Sequence, residues 1–370
     1  MENPPPFNSG TPPPLLSPSQ MSGRPARSGR GWMVLALVLM AVLAVMFATK
    51  FFSALGMTQA RTGGQSGSRL QEVSVDNFGA EDKIAIVDVD GIITSQAWDR
   101  SGRNMVDLIE DQLKMAAKDD SVRAVILKVD SPGGEVMASD DISRAILDFQ
   151  DKHKKPVIAA MGGLAASGGY YVSAPCQWIV ANELTLTGSI GVIMHSLNYR
   201  GLMDKVGLQP QVFKSGRFKD MLSGSKRPED VDPLEREMIQ SMVMETYGKF
   251  KKVVEEGRKR AADKNQGKGR GLAPDWAEYA DGRVLTGKQA YEHGFVDQLG
   301  NFETAVESAK RIAGISGRAH LVRYMEPFGF SDLFSIWGSS EAKTIKVDVG
   351  LDFPKIEAGR VYFLSPTLVH

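Results

Sequence analysis

Short apolar runs that stop at glycine-rich turns, with helical patterns between them, leave this chain few architectures. Ile84-Ala85-Ile86-Val87-Asp88-Val89 reads as a buried strand, and Val106, Leu108, Ile109, Leu113 and Ala116 follow at helical spacing. Val122 to Val129 is a second apolar strand, ending in Asp130-Ser131-Pro132-Gly133-Gly134. Glu135 to Phe149 is helical, Pro156 to Met161 a third strand, and Ser167 to Ser173 opens a helix. Further strands are predicted at Gln177 to Ala181 and Pro210 to Phe213. Strands alternating with helices imply right-handed βαβ crossovers, hence an α/β fold with a largely parallel sheet covered by helices. Ligands of such sheets gather at the carboxyl ends of the strands, and both glycine-rich turns fall there.

The flanks differ in character. Residues 1–30 are rich in Pro, Ser and Gly, with triplets at Pro4-Pro6 and Pro12-Pro14, and are expected to form a disordered tail. Such triplets also suit an aromatic groove as polyproline II. Gly31 to Thr49 is apolar throughout, close to the roughly 20 residues that cross a bilayer as a helix, and a transmembrane anchor is expected over 31–52. Arg24, Arg27 and Arg30 precede it, which keeps the tail in the cytoplasm and sends the rest outside. In a bacterium this is the inner membrane, with the domain on its outer, periplasmic side. A cleaved signal peptide would show a small-x-small site, whereas Lys50-Phe51-Phe52 follows here. Residues 53–81 read as a linker, 82–325 as the folded domain and 326–370 as a C-terminal tail.

Formal net charge is zero, which gives no support to nucleic-acid binding. Cys176 is the single cysteine, so no intrachain disulfide and no zinc-type cysteine cluster can form. Pro233 to Arg260 carries Met238, Ile239, Met242, Val243, Tyr247, Phe250 and Val254 at helical spacing, a packing or oligomer face. The basic segment Arg258 to Arg270 reads as a solvated loop, with attraction to anionic lipid head groups as the alternative.

Ser167 lies in Gly162-Gly163-Leu164-Ala165-Ala166-Ser167-Gly168-Gly169-Tyr170, a serine with nothing bulky around it at the end of an apolar run. Tight helix packing explains small residues equally well. The second loop tips the reading towards acyl transfer, because a nucleophile needs donors aimed at the developing oxyanion. The N–H groups of Gly168 and Gly134 are the expected pair. A phosphate loop is disfavoured, since no Gly-Lys-Ser or Gly-Lys-Thr follows. Among the histidines, His153 sits in a charged turn, His293 at a helix end, and His370 is terminal. His195 keeps a Ser/His/Asp triad open. A lysine can serve as base once an apolar site makes it neutral. Lys205, Lys214 and Lys219 are the candidates, and spacing does not choose between them.

The chain resembles the signal peptide peptidase A (SppA, protease IV) family over about Lys83 to Ala313. The resemblance is carried by Asp130-Ser131-Pro132-Gly133-Gly134, Ala165-Ala166-Ser167-Gly168-Gly169-Tyr170-Tyr171, Leu186-Thr187-Gly188-Ser189-Ile190-Gly191-Val192, Lys214-Ser215-Gly216-Arg217-Phe218-Lys219-Asp220 and Ala280-Asp281-Gly282-Arg283-Val284, in the same order. It implies a Clp protease/crotonase-like fold of repeated ββα units in the short, single-domain form. It implies Ser167 as nucleophile, Lys219 as general base, Ser189 orienting that lysine, and Gly134 with Gly168 as oxyanion hole. No cofactor or metal is implied. The implied substrates are cleaved signal peptides and other apolar peptides, and the implied assembly is a membrane-bound homo-octamer with sites shared between protomers. Two other readings remain: a crotonase-like acyl-CoA enzyme, disfavoured by the anchor, and an inactive anchored scaffold, disfavoured by Ser167, Ser189 and Lys219 occurring together.

Overall fold

The computed structural model describes residues 35, 37–43, 47, 70–76, 79–97, 102–326 and 361–364. The chain divides into two units, Met1–Gly67 and Ser68–His370. In the first, residues 35, 37–43 and 47 are helical with exposed side chains. No helix among the described residues is long and apolar enough to cross a membrane. The proline-rich tail, and much of the span expected over 31–52, lie outside the described residues.

In the second unit, β2 (Lys83–Asp90), β3 (Val122–Ser131), β5 (Val157–Ala166) and β6 (Trp178–Ala181) run parallel side by side. β10 (Gln298–Leu299) extends the sheet parallel to β6, and β11 (His320–Met325) lies parallel to β2. The fold is thus mixed α/β with a largely parallel sheet. Both faces are apolar, as a sheet buried on two sides requires. Val125, Leu127 and Val129 of β3 face a core shared with Ile109, Ile142 and Ile146. Ala124 and Ile126 face the other, against Ala305 and Ala309. The first three of these helical residues lie on α1 (Met105–Lys118) and α2 (Val136–His153), the last two on α7 (Phe302–Ala313).

Four segments depart from expectation, three of them before the C-terminal stretch. β1 (Gln71–Asp76) falls inside the stretch read as a linker and pairs antiparallel with β11. Its only apolar residues, Val73 and Val75, are exposed, so pairing with an open edge decides its structure and burial does not. No strand forms at Pro210 to Phe213, where Phe213 is 94% exposed and the backbone pairs with no strand among the described residues. The basic segment is not all loop. Helix α5 (Pro233–Lys264) runs through Arg258, which is buried and paired with Asp297, while Arg260 pairs with Asp151.

A second, three-stranded sheet has the order β4 (Gly133–Glu135), β12 (Val361–Leu364), β8 (Ile193–Met194). β12 comes from the stretch expected as a C-terminal tail and is antiparallel to both neighbours. The Phe363 side chain is fully buried, with ring centroids 4.8 Å from Tyr171 and 4.6 Å from Phe250.

Candidate active site

Ser167 sits at the one-residue junction between β5 and α3 (Gly168–Ser173). Its N–H still pairs strand-like with Gly188 O at 2.8 Å, while its carbonyl already accepts the Tyr171 N–H at 2.8 Å as the first helical turn. Meeting both demands in one residue forces φ to 54° and ψ to −115°, a conformation that residues with a Cβ avoid. The residue is 1% exposed.

β7 (Leu186–Gly188) lies parallel to the end of β5, with Ala166 opposite Gly188. Ser189 is therefore the next residue along beside Ser167. It too has positive φ, 49°, and its N–H donates to Arg283 O at 2.7 Å, just before β9 (Val284–Thr286). The Asp281–Arg283 ion pair holds that turn, and hydrogen bonding to Arg283 holds the Asp281 carboxyl down to about 2. Ser189 also lines a 460 Å³ cleft with Ile193 of β8, Asp281 and Tyr247.

The second glycine loop meets the first here. Ser131 Oγ accepts the Gly133 N–H at 3.1 Å. A Cβ added at Gly133, whose φ is 102°, would lie 2.1 Å from Phe363 O and 2.7 Å from Gly168 N. A Cβ at Gly134 would lie 1.9 Å from Ile93 O, and one at Gly168 would lie 3.1 Å from Gly134 N. Only glycine lets these backbones abut. The Glu135 N–H donates to Ile93 O at 2.8 Å. Successive strand N–H groups point opposite ways, so that of Gly134 points towards β12, where Phe363 is its register partner. The Phe363 carbonyl and the Gly168 N both crowd the space where a Gly133 side chain would stand.

The structure brings Ser167, Ser189, Gly134 and Gly168 together, while every base candidate is exposed. Lys219 is exposed, and among the described residues no hydrogen bond or ion pair engages its ammonium group. Lys214 is committed to Asp220, at 2.9 Å. Lys205 ends α4 (Arg200–Lys205) in solvent. His195 follows β8, exposed, and no carboxylate among the described residues pairs with it. Sequence reasoning missed β12 and the bridge by which Ile93 pairs with the second glycine loop, its N–H donating to Gly133 O at 2.9 Å. The short apolar run Val361-Tyr362-Phe363-Leu364 was the available signal for the first.

A serine on a strained strand-to-helix turn, with two glycine loops packed around it, fits an acyl-transfer enzyme. The comparisons make the class definite: this is a serine peptidase. A model of peptidase family S49 matches residues 149–316. A protein of Enterococcus faecium named as a signal peptide peptidase SppA is 38% identical over 248 residues, covering 66% of this chain and 67% of that one. The Arabidopsis thaliana chloroplastic serine protease SPPA is 32% identical over 71% of this chain but only 37% of its own. Protease 4 of Haemophilus influenzae is 32% identical over 67% of this chain and again 37% of its own. The chain belongs to peptidase family S49, the SppA family. A solved structure of the 1510-N membrane-bound stomatin-specific protease covers 70% of this chain and 98% of its own, with 16% identity and a TM-score of 0.38.

Proposed function

We propose that the chain is a membrane-anchored serine endopeptidase with a Ser/Lys dyad, degrading remnant signal peptides and other apolar peptides at the bacterial cytoplasmic membrane. Ser167 Oγ attacks the scissile carbonyl while the neutral Lys219 amine takes its proton. The Gly134 and Gly168 N–H groups receive the oxyanion, each such donor being worth about 3 kcal/mol in the transition state. Collapse expels the amine fragment, which takes the proton from Lys219, and water then releases the acyl group by the same route. Ser189 orients the lysine.

The observation that carries this reading is the meeting of Ser167 and Ser189 at the in-register ends of β5 and β7, beside the Gly133-Gly134 turn. The position of β12 adds support. It lies as an extended peptide in register with Gly134, its Phe363 ring packed on Tyr171 and Phe250, the form of chain that a peptide substrate beside Gly134 would take. Lys219 is exposed within its own chain, and the reading places it beside the serine of a neighbouring protomer, in a homo-oligomer that is an octamer by family resemblance. The exposed side chains of Leu197 at 82%, Leu202 at 63% and Phe213 at 94% supply apolar surface for that association. The anchor over 31–52, with the N-terminus inside, holds the ring at the membrane.

The test is hydrolysis of an apolar signal-peptide-like fluorogenic peptide by the full chain in detergent, beside Ser167→Ala and Lys219→Ala, with oligomer size recorded. Activity that both substitutions abolish in intact assemblies is expected. Unchanged activity in Lys219→Ala would remove the lysine from the mechanism and bring His195 forward.

A further inference from the structure

Glu235 occupies the third position of α5, after the N-cap Asp232. A glutamate there ordinarily turns back to the N-cap N–H and closes a capping box. This one does not. It is 2% exposed and reaches into the loop before the helix, where it accepts the Leu222 N–H at 2.9 Å and the Lys226 ammonium at 2.7 Å. Lys226 also meets Asp220 at 3.0 Å. Lys214 donates to both Asp220 oxygens, at 2.9 and 3.0 Å, and to Arg217 O at 3.1 Å. Arg217 in turn pairs with Asp232 at 2.5 Å. Charges thus alternate along Lys214, Asp220, Lys226 and Glu235, and the series ends on the first turn of a 32-residue helix.

Lys219 lies inside this closed circuit in sequence but is no part of it. Its neighbour Asp220 is clamped by two lysines, and Leu222 is held at φ 63°, a left-handed conformation that persists only where surroundings enforce it. The loop is also tied to the segment before α4, where the Tyr199 N–H donates to Gly224 O at 2.9 Å and Asn198 Nδ2 donates to Lys226 O at 2.9 Å. Residues 207–227 contain no strand or helix, and Phe213 projects into solvent. A buried carboxylate is tolerated when its hydrogen bonds are satisfied and disruptive when a partner is lost, so Glu235 acts as a fixed peg for the segment that follows the lysine, at Leu222 and Lys226.

We infer that Glu235, through Lys226, Asp220 and Leu222, is a positioning residue that sets where the loop presents the Lys219 amine. This rests on Lys219 being the base. Glu235 touches neither substrate nor the reacting atoms. Its effect is on the placement of the base, where a displacement of about 1 Å costs on the order of a hundredfold in rate.

The experiment uses the full chain in detergent with Glu235→Ala, Glu235→Gln and Lys219→Ala. It reads kcat, KM, oligomer size, melting temperature and the response to an added small primary alkylamine. Lys219→Ala is expected to be inactive and partly restored by the amine, which stands in for the missing side chain. Glu235→Ala is expected to lose on the order of a hundredfold in kcat with KM little changed, in full-sized assemblies, and to be restored by the same amine. Glu235→Gln keeps an acceptor for the Leu222 N–H, is expected to lose less, and carries the test should the alanine variant not fold. Parental kcat in both Glu235 variants, with Lys219→Ala inactive, overturns the positioning role and leaves the base assignment standing. A loss that accompanies smaller assemblies, or that the amine does not relieve, also overturns it. An active Lys219→Ala overturns the base assignment, and the positioning role with it.

Discussion

Ser167 and Ser189 are each the first residue past the in-register pair Ala166–Gly188, and both carry positive φ, 54° and 49°. Each also donates its N–H to the next segment along: Ser167 to Gly188 O, Ser189 to Arg283 O. The separation of the two hydroxyl-bearing residues is therefore set by a backbone ladder, which does not shift when a side chain changes.

Ser189→Gly separates hydroxyl from backbone. Glycine accepts positive φ without strain, so stability should be unchanged or higher by about 1 kcal/mol. On the proposed mechanism the Ser189 hydroxyl orients the base, and its loss should lower kcat on the order of a hundredfold. Thermal unfolding and peptide hydrolysis measure the two separately, and retained activity would remove Ser189 from the dyad's support.

Gly134→Ala should fail structurally as well as catalytically. Its Cβ would fall 1.9 Å from the Ile93 carbonyl oxygen, a backbone atom with no rotamer to yield. A cost of about 3 kcal/mol, at the upper end for overpacking, is expected as a lower melting temperature. Gly163→Ala is the control, since nothing lies within 4 Å of its added Cβ. Equal melting temperatures for the two variants would contradict the packed turn.

Deleting residues 361–370 should ease access to the site. On the proposed mechanism β12 occupies the place of substrate, and a tethered strand competes at an effective concentration on the order of millimolar, so its removal should lower KM for an apolar peptide several-fold and leave kcat unaltered. Phe363→Ala, which empties the pocket beside Tyr171 and Phe250, should move KM the same way by less. An unchanged KM in both would mean that β12 and substrate occupy different places.

The pair Asp281–Arg283 makes a pH prediction. The Asp281 carboxyl is lowered from 3.8 to about 2 in the folded chain. A group depressed on folding stabilises above its unfolded value and loses that contribution as pH falls through its folded value. The melting temperature of the parent should exceed that of Asp281→Asn by a constant amount above pH 5, and the gap should close between 3.8 and about 2. Both side chains are about half exposed, so the gap is small and shrinks with salt. A gap that persists at the acid end would assign it to packing.

What the residue pattern reveals follows from how local each signal is. The strands at Val122 and Pro156 and the helix at Glu135 were legible because apolar periodicity is written within one element. Ser167 and the glycine loops were legible because close approach leaves room only for small residues. β1 and β12 were not, since each is a short strand whose structure depends on an edge far away in sequence, and β1 lacks a buried face. Arg258 looked like surface because its partner, Asp297, is remote in the chain. The link from Glu235 to Leu222 was hidden by a capping pattern, Asp232 followed by Glu235, that suggests a purely local role.

On the proposed mechanism substrate takes the place of β12, which then shows what form of chain the site admits. A segment flanked on both sides by β4 and β8 must present backbone donors and acceptors outward along its length, which a helix, having spent them on itself, does not. A signal peptide that lies helical in the bilayer would therefore have to unwind before Ser167 could reach it. The peptidase would then read secondary structure ahead of side chains: intact membrane helices would be spared, and remnants loose enough to straighten would be destroyed.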